Sequence, residues 1–126
     1  MATTPQHRLH LWVLLPVLGL IPTIGGMLRA SGPGRDEARR AVRWQLLGTS
    51  ILALHLVLQI GVVAIDWLAA ELGTVPPQLQ TIIRPLLLLI SAANVGSGIV
   101  EYCFVAFWGL RAARGAPLPF LDGERR

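Results

Sequence analysis

RDEARRAVRWQLLGTSILALHLVLQIGVVAIDWLAAEL, Arg35 to Leu72, decides the fold. It opens as a charged amphipathic turn and becomes an apolar run too long for a soluble core helix. Trp44 to Trp67 rises roughly 34 Å at 1.5 Å per residue, against a hydrocarbon thickness of about 30 Å. A tryptophan at each end suits the two headgroup levels. The stretch predicts a membrane-spanning helix with a basic collar on one side.

Composition points the same way. Of 126 residues, 53% are hydrophobic and 14% charged, with mean hydropathy +0.58. Soluble domains carry roughly 25% charged residues. The net charge is +4 and all eleven basic residues are arginine. They flank apolar runs and form no solvated stripe, so the expected partner is the lipid bilayer and not nucleic acid. Cys103, the single cysteine, lies in an apolar run, which excludes a disulfide framework or a thiolate metal site within one chain.

Before the central stretch, a polar lead (Met1–His10) is followed by LWVLLPVLGLIPTIGGML, Leu11 to Leu28. Pro16, Pro22, Gly25 and Gly26 predict a kink or a locally broken turn. The run resembles a signal-peptide apolar region. However, Arg29, Arg35, Arg39 and Arg40 follow it directly, and no small-x-small cleavage site precedes them. It is therefore read as a retained span, with a re-entrant hairpin as the minor alternative.

SGPG (Ser31–Gly34) is a turn cluster. Asp36 and Glu37 then suit a helix N-terminus, and Ala38, Ala41, Val42 and Trp44 can face lipid. Residues 35–43 thus read as a short interfacial helix. Beyond Leu72, Pro76-Pro77 breaks the chain, and Leu79, Ile82 and Ile83 can lie on the membrane surface. Pro85 fits the first turn of a third span. The expected architecture is a single all-α membrane domain with spans at about 9–29, 44–70 and 85–112.

Three spans put the first loop (Arg29, Arg35, Arg39, Arg40, Arg43) and the tail (Arg111, Arg114, Arg125, Arg126) on one side. Arg8 and Arg84 remain on the other. The positive-inside rule then sets the N-terminus outside and the tail in the cytoplasm.

Two stretches carry a family resemblance: EARRAVRWQ (Glu37–Gln45) and LRAARGAPLPF (Leu110–Phe120). With the proline-containing first run, the chain resembles the Tic-twenty-like small bacterial membrane proteins. That family includes the magnetosome protein MamF and is similar to the chloroplast inner-envelope import component. Arg43 stands where the family often has asparagine, and His55 and Glu101 lie in spans that are usually more apolar. The resemblance implies packed helices, a bacterial cytoplasmic membrane and a role in membrane protein organisation. It implies no reaction.

The spans hold the remaining chemistry. Gly48, His55, Gln59 and Asp66 fall within about 20° of one line at 100° per residue. Asn94, Gly98 and Glu101 make a similar stripe, with Ser97 beside it. Ala92 and Gly96, and Ala93 and Ser97, give small-xxx-small spacing that admits another backbone. Aligning Trp44 with Trp108 puts Gln59 level with Asn94 and leaves His55 and Glu101 about 6 Å apart in height. Opposed side-chain leans close that gap, so the two are expected to pair.

Metalloprotease, phosphate-loop and nucleophile-elbow motifs do not occur, and no enzyme is expected. His7 and His10 read as surface histidines near the outer interface. The leading functional reading is a structural or assembly protein that joins other membrane chains or itself, without a cofactor. The alternative gives His55 a chlorophyll-type or haem-type ligand, or makes His55 and Glu101 a proton path.

Overall fold

A computed structural model describes residues 5–73 and 75–122, so Arg125 and Arg126 of the tail count lie outside the described residues. Every described element is helical. A 3-10 helix (Pro5–Leu14) is followed by α1 (Leu20–Arg29), α2 (Pro33–Glu71) and α3 (Pro77–Ala112).

Two helices, α2 and α3, are long and apolar enough to cross a membrane. At 39 and 36 residues they run roughly 58 and 54 Å. In their most apolar windows only 6% and 0% of residues are buried. A soluble core helix would hide that surface.

The first apolar run differs from the expected span. It is two ten-residue pieces, roughly 20 Å of 3-10 helix and 15 Å of α-helix. Pro16 disfavours helical geometry at Leu15 and stops the first piece. Pro22 is accommodated in the first turn of α1, where an N–H is not needed. The pieces fold back on each other, with the Leu9 side chain lying over Gly26. This is a hairpin course.

Residues 35–43 are also not a separate interfacial helix; they are the opening turns of α2. Gly32 takes φ +57, and the Arg35 N–H closes on its carbonyl at 3.0 Å. Pro33 then occupies the first helical position. At the far end Gly73 takes φ +56, the left-handed conformation that ends a helix. The third helix starts two turns earlier than Pro85, because Pro77 supplies the same first-position solution. Pro85 sits inside α3.

Contacts divide the chain into two units. The first joins residues 1–51 to 101–126 and the second holds 52–100. The first unit's core is Val13, Trp44, Val105, Ala112 and Leu118. Ala38, Ala41, Val42 and Trp44, expected to face lipid, are instead buried against protein. Trp44 is 0% exposed and its indole N–H donates to the Val105 carbonyl at 2.9 Å. It is a core residue, whereas Trp67 is 60% exposed.

Candidate functional site

In the first unit, breaking a helix inside an apolar run leaves carbonyls without partners. Side chains from α2 and α3 take them up. Tyr102 Oη–H donates to the Val13 carbonyl, and the Gln45 amide donates to the carbonyls of Leu15 (3.0 Å) and Pro16. The Thr49 hydroxyl also reaches Pro16 at 3.1 Å. Thr23, fully buried, closes the first turn of α1 onto the Gly19 carbonyl at 2.8 Å. The carbonyls of Val13, Leu15 and Pro16 are thereby taken up by side chains of α2 and α3.

An ionic cluster ties the same unit together. His10, expected on the surface, is 2% exposed and lies 2.7 Å from Glu37 Oε1. His7 approaches the same oxygen at 3.8 Å. Arg40 bridges Glu37 and Asp122 at 2.5 Å each, and the Leu118 N–H donates to Asp122 at 2.7 Å. Arg40 is thus committed to carboxylates and not to lipid headgroups. Arg35, Arg39, Arg43 and Arg114 are exposed. Arg111 lies over the rings of Phe107 and Trp108 at 5.8 and 4.9 Å.

Burial pushes the Glu37 carboxyl up. The His10 hydrogen bond and the charges of Arg40, His10 and His7 outweigh it and hold the carboxyl below its ordinary value of 4.5. A depressed carboxyl stabilises the fold above its unfolded value and loses that contribution as pH falls through the folded one. The melting temperature in detergent should therefore hold down to about pH 4.5 and drop below it. Glu37→Gln should start lower and flatten the acid limb; an unchanged acid limb in that variant would place the titration elsewhere.

In the second unit the polar stripe becomes a ladder between α2 and α3. Asn94 Nδ2 donates to the His55 carbonyl (2.9 Å) and to Gln59 Oε1 (3.2 Å). Its Oδ1 therefore faces His55 Nδ1 at 2.7 Å as acceptor, which fixes the proton on Nδ1. Gln59 Nε2 in turn donates to Ser91 Oγ at 2.6 Å. Seven residues on from Gln59 and seven back from Ser91, Asp66 meets Arg84 at 3.6 Å. These pairings run antiparallel in one register. Gly98 makes room for the imidazole: a Cβ there would stand 3.0 Å from His55 Cγ.

No family model, curated protein or solved structure matches this chain.

Of the residues singled out in the sequence, His55, Gln59 and Asn94 come together. Ser91, three residues before Asn94 and seven before Gly98, lies on the same helical stripe and completes them. Glu101 is exposed and, like His55, has an interaction of its own in the structure, so neither side chain is without a partner. Ala92, Ala93, Gly96 and Ser97 are also exposed, and nothing lies within 4 Å of a Cβ built on Gly96. Among the described residues no cluster of three or more His, Cys, Asp or Glu could hold a metal. Chemically, a histidine followed by two amides and a hydroxyl is suited to holding helices together. Amides carry protons poorly, because each transfer requires an imidic acid.

Proposed function

We propose that this chain is a small integral membrane protein with a structural or assembly role, in which α2 and α3 span the bilayer. The observation that carries the reading is the unpartnered apolar surface of both helices, 6% and 0% buried. Amide and hydroxyl links between α2 and α3, beside a bare small-residue face, favour a scaffold, with a proton path through His55 and Glu101 as the second reading.

In this reading the hairpin is re-entrant and enters from the arginine side. Irregular backbone at membrane depth is tolerated only when buried in protein, and Tyr102, Gln45 and Thr49 supply that protection. His10 contacts Glu37 on the arginine-rich stretch, so the N-terminal segment lies with the first loop. This replaces the outside N-terminus of a three-span arrangement. Arg8 then joins the majority, leaving Arg84 as the one arginine on the far side. Under the positive-inside rule both ends are cytoplasmic, and the Tic-twenty-like resemblance implies a bacterial inner membrane. The two stretches that carry the resemblance meet in one core through Trp44, Ala112 and Leu118.

The partner surface in this reading is the bare face of α3, for a second copy or another membrane chain. Gly96→Leu should reduce co-purification of partner chains, or self-association, in mild detergent while leaving membrane insertion intact, since leucine inserts well. An unchanged complex would mean that the face meets only lipid. The purified protein should also show no visible absorbance, since no cofactor is proposed for His55; a haem-type or chlorophyll-type band would overturn that part.

A further inference from the structure

Beyond the ladder, the second unit contains a half-open cleft of about 340 Å³ between α2 and α3. That is at the lower end of ligand cavities, about 300–1,000 Å³. Gln59 and Ser91 close one end, Val63 and Leu88 line the walls, and Asp66 and Arg84 flank the other end. Two helical turns, roughly 10 Å, separate the polar ends. The Gln59–Ser91 end is already hydrogen-bonded within itself.

The other end is different. Arg84 Nε stands 3.6 Å from Asp66 Oδ1, and the side chains are 64% and 46% exposed. A tight guanidinium–carboxylate pair closes to about 2.7–2.9 Å. Among the described residues that approach is the only polar contact of either group. A cation and an anion therefore stand side by side at the mouth of an apolar slot, each with hydrogen-bonding capacity left over. Their net charge is zero. A purely anionic head would meet Asp66, and a purely cationic one would meet Arg84.

We propose that this cleft binds a zwitterionic aminophospholipid of the ethanolamine type. The inference rests on the membrane reading above. The phosphate accepts from the terminal nitrogens of Arg84, in the forked geometry that guanidinium offers. The primary ammonium donates to Asp66. One acyl chain lies in the slot against Val63 and Leu88. A choline head has the same charges but no N–H for the carboxylate, and a glycerol head has no cation at all. The site thus selects among lipids by an N–H donor, not by charge alone.

The test loads the full chain in nanodiscs containing equal parts of ethanolamine, choline and glycerol phospholipids, then identifies the lipids retained after mild delipidation by native mass spectrometry. Ethanolamine lipid should exceed each of the others about tenfold, the worth of one charge-assisted hydrogen bond. Asp66→Asn should equalise ethanolamine and choline lipids. Arg84→Gln should lower both. Val63→Phe, which fills the slot and leaves the charges, should lower retention of both in the cleft, and with it the ethanolamine preference, and carries the test if a charge variant fails to fold. Equal retention of the three lipids by the native chain, or a preference that survives Asp66→Asn and Val63→Phe, overturns the proposal. Alkaline carbonate extraction of the source membranes separates the two levels. A chain that stays in the membrane without lipid preference defeats only the cleft, whereas one that washes out defeats the membrane reading as well.

Discussion

Trp44→Ala should destabilise the first unit by about 3–5 kcal/mol, the range for emptying a fully buried aromatic site. The indole is 0% exposed among Val13, Val105, Ala112 and Leu118. Removing it opens a cavity where the hairpin, both long helices and the tail converge. Trp44→Phe keeps most of the volume and loses the N–H bond to Val105, so it should cost only about 1–2 kcal/mol. Trp67→Ala, at a residue 60% exposed, should change detergent stability by less than about 0.5 kcal/mol. Thermal unfolding in one detergent, read by near-ultraviolet circular dichroism, ranks the three. Similar losses at Trp44 and Trp67 would mean that Trp44 is an interface residue after all.

Asn94→Leu should be the most damaging single change in the second unit. It leaves the His55 Nδ1–H without its acceptor and Gln59 Oε1 without its donor, each worth about 1–3 kcal/mol when buried away from water. The His55 carbonyl loses a bond at the same time. Ser91→Ala removes only the end of the ladder, one bond to Gln59, and should lose less. Adding His55→Leu to Asn94→Leu should recover part of the loss, because the stranded imidazole donor goes with it. The readout is again thermal unfolding in detergent. Strict additivity of His55→Leu and Asn94→Leu would show that the two side chains act independently.

Much of this architecture is legible in the residues. The long apolar stretches of α2 and α3 and the turn clusters at SGPG and Pro76-Pro77 mark the elements. Aligning Trp44 with Trp108 puts Gln59 level with Asn94, and a hydrogen bond joins that pair. What hydropathy cannot tell is whether an apolar residue leaves water for lipid or for protein. The transfer is equally favourable in both, so Ala38, Ala41, Val42 and Trp44 look the same in either setting. The first apolar run is ambiguous for a related reason. Pro16 and Pro22 predict a break, but whether the chain continues across or turns back depends on groups far away in sequence. Tyr102, Gln45 and Thr49 make the turn possible by taking carbonyls some thirty to ninety residues distant. A broken helix in an apolar run, with polar side chains at matching depth on other helices, is the signal that could have found it. His10 was hidden likewise: its burial is set by Glu37, 27 residues on.

Two spanning helices with a hairpin folded back on the arginine side is the central claim, and accessibility of single cysteines in intact cells tests it most directly. With Cys103→Ala as background, cysteines at Pro5, Ser31 and Gln78 are exposed to an impermeant maleimide added outside. The cysteine at Gln78 should label, while those at Pro5 and Ser31 should label only after the membrane is opened. Labelling of the Pro5 position from outside, with Ser31 still protected, would restore three spans and contradict the hairpin.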